Sequence, residues 1–220
     1  MKSPSLTDDP NEGIIKSIVS IEWDMFDKVN NFGGRASCQD DRTTFYVMRR
    51  SQFSAWDGAV LESYEADLKR ANEEGINLVE LKYAYMMSYD NPKYFKTELA
   101  PFLPPVSPEK SEAVDAIMEH AVAGFREAAE KFPFFTRRGR PENGTPAGAG
   151  TSFDVYMRGE LLTYSENTLG LYLEMLKNKR RAHVNFACEI YNSTAKSYGF
   201  AGLDEAESVL KKQGAGQPAL

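Results

Sequence analysis

Residues 14–29 read IIKSIVSIEWDMFDKV, and this stretch shows the pattern that decides the fold of the chain. Its apolar residues recur three and four positions apart, which predicts an α-helix with an inner face of Ile15, Ile18, Met25, Phe26 and Val29. Upstream, Asp9 and Pro10 are typical of a helix start, because the carboxylate can cap free amides and proline suits the first turn. Glu22 lies on the same apolar face, so a charged side chain occupies a position where a core residue is expected.

The same reasoning extends along the whole chain and predicts an all-α protein of six to seven helices, packed as a single-domain bundle with an interior polar pocket. Helix-start residues and glycines that end helices give the predicted ranges 10–32, 40–72 with a bend at Gly58, 77–91, 107–131, 152–178, 181–198 and 203–212. We expect residues 1–12 and 213–220 to be disordered, residues 13–212 to form the domain, and residues 132–151 to be a long flexible loop. Gly159 and Gly170, inside the fifth helix, are candidates for close helix approach.

Composition excludes several classes of protein. The net charge of −6 argues against nucleic acid as a partner, because phosphate binding needs a basic surface. No apolar run reaches the roughly 18 residues of a membrane span. Two cysteines make no disulfide framework, and the first residues lack an apolar signal core, so we expect a cytoplasmic protein. A homodimer or a partner protein is left open.

Five charged residues fall on predicted inner faces: Glu22, Arg49, Asp67, Lys82 and Glu160. An unpaired charge is costly to bury, so such groups pair with each other, shift their pKa or face a ligand. Two explanations stay open at this stage. The charges form a buried ion network that fixes how the helices align, or they line a site for a small-molecule ligand.

The second explanation assigns each residue a role. Arg49 suits a carboxylate or phosphate held by two hydrogen bonds, with Trp56, Tyr64 and Asp67 beside the ligand. Among apolar neighbours Lys82 is expected to have a lowered pKa, and Glu22 or Glu160 a raised one. Groups shifted in opposite directions suit acid–base catalysis, so Glu22 and Glu160 become candidates for proton transfer. Lys82, Tyr64 and Tyr164 would stabilise developing charge.

The segment Cys38-Gln39-Asp40 precedes a predicted helix start, where amides and the helix dipole favour anions. It is therefore a second candidate for ligand binding. The alternative is that Asp40 or Asp41 only caps the helix and Cys38 only packs. Arg137, Arg138 and Arg140, in the long loop, are either solvated charges or part of a lid that attracts an anion.

The sequence lacks the common motifs for metals and cofactors. A di-metal carboxylate bundle requires Glu-x-x-His, but Ile117 precedes His120 by three residues and Arg180 precedes His183 by three. The chain has no phosphate-binding glycine loop and no dinucleotide fingerprint. We therefore expect no metal and no cofactor, with binding of a metal by carboxylates alone left open.

Several strings together resemble one bacterial family, the domain of unknown function numbered 4125. The resemblance is carried by Ile21-Glu22-Trp23-Asp24-Met25-Phe26, Gly33-Gly34-Arg35-Ala36-Ser37-Cys38-Gln39-Asp40-Asp41, Met48-Arg49, Gln52-Phe53, Trp56, Ser63-Tyr64, Leu81-Lys82-Tyr83, Met86-Met87, Tyr156-Met157-Arg158-Gly159-Glu160-Leu161, Thr163-Tyr164-Ser165 and Thr168-Leu169. It covers roughly residues 13–210, which implies one intact domain, and it implies no reaction. The polar residues that recur in the family pattern include Glu22, Arg49, Lys82 and Glu160.

The sequence therefore predicts a small cytoplasmic enzyme that acts on a polar, anionic metabolite by metal-independent acid–base chemistry. Its reaction class stays open among lyase, isomerase and hydrolase types. Two other functions also stay open. One is a non-catalytic protein that binds a ligand or serves a partner enzyme, and the other is a structural helical domain with a buried ion network.

Overall fold

The computed structural model describes residues 10–30, 34–143 and 151–214. Within these ranges the chain is all-α and contains no strand, which confirms the predicted fold class. The described residues form eleven α-helices: α1 Glu12–Asp27, α2 Arg42–Phe53, α3 Gly58–Glu73, α4 Leu78–Asp90, α5 Pro92–Tyr94, α6 Pro108–Lys131, α7 Pro133–Thr136, α8 Phe153–Leu161, α9 Glu166–Arg181, α10 Phe186–Ser197 and α11 Leu203–Gln213. A π-helical turn and two 3₁₀ turns occur at Phe95–Leu99, Ser37–Asp40 and Ala100–Phe102.

The predicted count of six to seven helices is too low, because two predicted helices are each broken in two and the short helices α5 and α7 form outside the predicted helix ranges, α7 within the predicted loop at 132–151. The predicted helix at 40–72 does not bend at Gly58; it stops at Phe53, and α3 begins at Gly58. Asp57 has an extended backbone between them, and its carbonyl accepts the first amide bonds of α3. The Ser54 hydroxyl donates to the Ser51 carbonyl, a local bond that competes with helix continuation.

The predicted helix at 152–178 is also interrupted, between Leu161 and Glu166. Ser165 is the cap of α9, because its hydroxyl accepts the Thr168 amide at 3.2 Å. Asp67, on α3, accepts the Ser165 amide at 3.0 Å and the Thr168 hydroxyl at 2.6 Å. A carboxylate from another helix therefore holds the break in place.

Three predicted helix starts are confirmed, each with a side chain that caps the helix, whereas the predicted start at 181 is wrong because α9 runs to Arg181 and Asn185 caps α10. Asn77, Ser107 and Ser152 each accept the amide three residues on. The first helix ends at Asp27, not near Phe32, and the predicted cap Asp9 lies outside the described residues. Most of the predicted disordered ends, and residues 144–150 of the predicted loop, also lie outside them.

The main apolar core is formed chiefly by α1, α3, α6 and α9, with contributions from α2, α4 and α8. Fully buried members include Ile18, Leu61, Ile117 and Leu169. A second, smaller core lies where α11 packs on α7 and α10. No helix in the described part of the chain is long and apolar enough to span a membrane.

Helices α4 and α8 approach closely at Gly159, as the sequence predicts for this glycine. A Cβ atom built at Gly159 would lie 2.6 Å from Cγ of Met86 and 2.9 Å from the carbonyl oxygen of Lys82. A Cβ at Gly170 would meet nothing within 4 Å, so the prediction for that glycine is wrong. The contact at Gly159 matters for the site, because it sets the distance between Lys82 and Glu160.

We expect Gly159→Ala to lower the free energy of unfolding by about 1–3 kcal/mol, since the new methyl group overlaps backbone that cannot move away. Gly170→Ala, in open space on an exposed helix surface, is the matched control and should raise it by roughly 0.5–1 kcal/mol. Urea unfolding of both variants measures the difference. Equal effects of the same sign would show that the close approach does not constrain the fold.

Candidate functional site

Four of the five predicted inward charges meet at one point. Glu22 on α1, Arg49 on α2, Lys82 on α4 and Glu160 on α8 are all buried, each with 6 % or less of its surface exposed. We call these four residues the buried ion cluster. Their formal charges cancel, so the cluster is neutral as a unit.

Arg49 is the centre of the cluster. Its Nε and Nη2 donate to the two carboxylate oxygens of Glu22 at 2.6 and 2.5 Å. Its Nη1 and Nη2 donate to the two oxygens of Glu160 at 3.1 and 3.0 Å. Nη1 also donates to Oε1 of Gln52 at 2.8 Å, so every guanidinium nitrogen has an acceptor. Arg49 therefore bridges two carboxylates that would otherwise repel each other.

Glu160 accepts more hydrogen bonds than any other carboxylate in the cluster. Besides Arg49, it accepts Nζ of Lys82 at 2.8 Å, Nε2 of Gln52 at 2.9 Å and the hydroxyl of Tyr164 at 2.8 Å. Burial alone would raise the pKa of Glu160, but Arg49 and Lys82 outweigh it and hold the pKa well below its usual range. The expectation of a raised pKa at Glu160 is therefore wrong, because that prediction counted burial and not the paired cations.

Lys82 departs from its predicted behaviour for the same reason. Burial lowers the pKa of an isolated ammonium, but the contact with Glu160 reverses the effect and the pKa of Lys82 is raised. The ammonium also lies 3.6 Å from the ring centre of Tyr156, in cation–π geometry. Lys82 is thus held as a cation, and the predicted lowered pKa is wrong.

Two buried tyrosines complete the cluster. The Tyr64 hydroxyl donates to Oε1 of Glu22 at 2.7 Å, and Tyr164 donates to Glu160 as described above. Burial and the neighbouring carboxylates raise the pKa of both phenols well above the usual value. Both therefore stay protonated and act as hydrogen-bond donors.

The other predicted site residues lie elsewhere. Asp67 binds the start of α9 and Arg70, not the buried ion cluster. Trp56 is buried in the aromatic core between Tyr64, Tyr164 and Tyr172. The Gln39 amide donates to the carbonyls of Phe26 and Val29, and exposed Asp40 pairs with Arg35.

A cleft of about 460 Å³ opens above the cluster. Glu22, Arg49, Lys82 and Glu160 lie on its wall, together with Tyr64, Tyr164 and the free thiol of Cys38. Most other residues that line it are apolar or aromatic and come from α2, α6, α8 and α10. Its volume is within the range of pockets for small organic ligands.

The capping alternative applies to part of the Cys38 segment. Asp41, not Asp40, caps α2, accepting the Thr44 amide at 2.9 Å. Cys38 and Asp41 line the cleft, whereas Gln39 and Asp40 do not. Of the three residues predicted to bind a ligand in this segment, Cys38 therefore lines the cleft, and Gln39 and Asp40 do not.

Comparison with known families confirms the resemblance that the sequence shows. The chain matches the family described as "Protein of unknown function (DUF4125)" over residues 12–208. The chain belongs to the DUF4125 family. Curated proteins and solved structures gave no match. The matched region of this DUF4125 chain includes the whole buried ion cluster and most of the cleft.

Sequence reasoning missed two residues of the DUF4125 site, Gln52 and Tyr156, and left the role of a third, Arg140, open. Gln52 follows Arg49 by three positions, so its place on the same face of α2 was predictable. Tyr156 was assigned no role, although its ring contacts Lys82 and its ring centre also lies 4.2 Å from the Arg140 guanidinium. Arg140 was one of three loop arginines, and it lines the cleft while Arg137 instead lies over Phe134.

The cleft of this DUF4125 chain is not lined by a set of metal ligands in its described part. Among the residues that the structure describes, no three or more His, Cys, Asp or Glu side chains are grouped closely enough to hold a metal ion. Glu22 and Glu160 share one arginine, so their oxygens are already taken by protein donors. Glu22 and Glu160 are therefore paired with the protein's own cations, Arg49 and Lys82.

Proposed function

We propose that the protein binds a small anionic molecule in the cleft, with Lys82 and Arg140 holding the anionic group. The observation that carries the proposal is that two cations share the ring of Tyr156 at the cleft wall. Nζ of Lys82 lies 3.6 Å and the guanidinium carbon of Arg140 lies 4.2 Å from the ring centre. Two cations placed together attract an anion between or beside them.

Both cations keep hydrogen-bonding capacity. An ammonium has three donors, and among the described residues Lys82 uses one, on Glu160. Arg140 donates from Nη1 to the Thr151 carbonyl at 2.9 Å, and no carboxylate of the described chain pairs with it. An incoming carboxylate or phosphate would therefore find free donors.

Binding without catalysis fits this geometry better than acid–base chemistry at Glu160. A proton-transfer group needs a pKa near the working pH, whereas the cations around Glu160 lower its pKa far from that range. Burial raises the pKa values of Tyr64 and Tyr164 well above the usual tyrosine value, so these groups also titrate far from neutral pH. The role we propose for the buried ion cluster is therefore to hold Lys82 charged at the floor of the cleft.

Replacing Arg140 by methionine tests the proposal. We expect Arg140→Met to weaken binding of octanoate about tenfold or more, as one charge-assisted hydrogen bond is worth roughly 1.5–3 kcal/mol. Stability should change little, because Arg140 is exposed. Isothermal titration calorimetry with octanoate, and with octanamide as the neutral analogue, measures both the affinity and the need for charge.

Arg137→Met is the matched control. Arg137 lies in the same segment, is exposed, and also contacts an aromatic ring, that of Phe134 at 3.9 Å, but it does not line the cleft. Its loss should leave the dissociation constant for octanoate within about twofold of wild type, because an exposed charge outside the site contributes little to binding. Equal losses in both variants, or octanamide bound as tightly as octanoate, would contradict the proposal.

A further inference from the structure

Helix α10 is packed in an unusual way. A helix on the surface of a globular protein has a buried face and an exposed face. In contrast, all residues from 184 to 193 are half-buried, and none of them is fully buried or fully exposed. The inner face of this part of α10, with Phe186 and Ile190, lines the cleft. It is half-buried because the cleft leaves it uncovered.

Other parts of the cleft wall have the same character. Phe45 on α2, and Phe153 and Met157 on α8, line the cleft and are only half-buried. Met48, next to them on α2, has 48 % of its surface exposed. These side chains are apolar, so covering them releases water and is favourable.

Two neighbouring cations of the cleft keep spare donors. Lys82 uses one of its three donors on Glu160, and Arg140, beside the same Tyr156 ring, donates to the Thr151 carbonyl, whereas Arg180, which also lines the cleft, is paired with Glu127. The cleft thus offers donors on two neighbouring cations and apolar residues on three helices. A small hydrophilic anion such as acetate or phosphate would use only the first of these.

We infer that the ligand is amphipathic: one anionic head group at Lys82 and Arg140, and an apolar body, an alkyl chain or aromatic ring system, between α2, α8 and α10. This inference rests on the proposed function and names the chemical class of its ligand. Filling the cleft also predicts that ligand binding protects the amides of α10, since its cleft-lining face is then covered in addition to its contacts with α2, α6 and α11.

A series of straight-chain carboxylates tests the inference by calorimetry. Acetate, hexanoate, octanoate and decanoate share the head group and differ only in apolar length. We expect the dissociation constant to fall by roughly two- to fourfold per added methylene, given about 0.8 kcal/mol per buried CH₂. Hydrogen exchange of the α10 amides should slow with decanoate and not with acetate.

Ile190→Ala removes part of the apolar wall, and Ile21→Ala is its control. Ile21 is also half-buried but lies on α1 outside the cleft. Ile190→Ala should weaken decanoate binding roughly tenfold and acetate binding less than about twofold, while Ile21→Ala changes neither by more than about twofold. If Ile190→Ala does not fold, the chain-length series and hydrogen exchange on the wild-type protein still test the inference.

The possible failures are distinguishable. Affinity that is independent of chain length, with carboxylates still preferred over their amides, would overturn the amphipathic ligand and leave the proposed function standing. Decanamide bound as tightly as decanoate would overturn the anionic head group, and the proposed function with it.

Discussion

Replacing Arg49 by methionine is expected to lower the free energy of unfolding by about 3–5 kcal/mol, the usual cost of removing one partner from a buried ion pair. The loss is large because, among the described residues, Arg49 is the cation that bridges Glu22 and Glu160. Without it, the two buried carboxylates face each other, with Lys82 as the remaining cation of the buried ion cluster. Guanidinium chloride unfolding at pH 7 measures the change.

Arg126→Met is the control for Arg49→Met, with the same substitution in a surface ion pair. Arg126 binds Glu142 at 2.6 Å, but its side chain is 64 % exposed, so water replaces the lost partner. We expect a change of less than about 1 kcal/mol. A loss at Arg49 no larger than the loss at Arg126 would mean that the fold does not depend on the buried ion cluster.

The second large effect is expected for Glu160→Gln, which leaves Arg49 and Lys82 with one carboxylate fewer. We again expect a loss of about 3–5 kcal/mol near neutral pH. Gln52→Glu is not a suitable control, because it adds a charge. Gln52→Leu is better, since it removes a neutral partner of Glu160 and should cost only about 1–2 kcal/mol.

The pH dependence of stability distinguishes Glu160→Gln from an ordinary packing defect. In the wild type, the pKa of Glu160 is lower when folded than when unfolded, so its contribution is full above about pH 4.3 and declines as the pH falls below that value. The variant lacks this part of the acid-induced loss. It should also gain stability as the pH rises towards about 10, because a buried Lys82 without its carboxylate releases its proton more readily than the unfolded chain. Parallel pH profiles for the two proteins would contradict this account.

The helix pattern predicted the faces of the buried charges well but not their neighbours. Glu22, Arg49, Lys82 and Glu160 were placed inward by spacing alone, and all four are buried together. Asp67 shows the same spacing, yet its partners are the Ser165 amide and the Thr168 hydroxyl. Spacing fixes the side of a helix on which a residue lies, and only tertiary packing decides which helix it meets.

The signs of the pKa shifts were harder to predict than the positions. Burial raises the pKa of a carboxylate and lowers that of an ammonium, and the sequence pattern predicts burial but not the partner of a charge. The contact of 2.8 Å with Glu160 reverses the direction for Lys82, and Arg49 together with Lys82 reverses it for Glu160. A pair of opposite charges that meets across 78 residues of chain cannot be inferred from either local pattern.

The helix breaks follow from similar long-range contacts. Asn77, Ser107 and Ser152 cap helices with their own side chains, and their starts were predictable. The break at Ser165 depends in addition on Asp67 from α3, so the local sequence alone reads as one continuous helix. Local capping chemistry therefore set most helix starts, and tertiary contacts set the interruptions.

In the buried ion cluster the charges are paired with each other, and this pairing holds Lys82 as a cation. The most direct measurement is the pKa of the Lys82 ammonium, obtained by NMR titration of protein with ¹⁵N-labelled lysine and assigned with Lys82→Met. The account predicts a pKa above the ordinary lysine value of about 10.4 and a slowly exchanging ammonium. A pKa well below that value would contradict the pairing and show instead a buried amine available for acid–base chemistry.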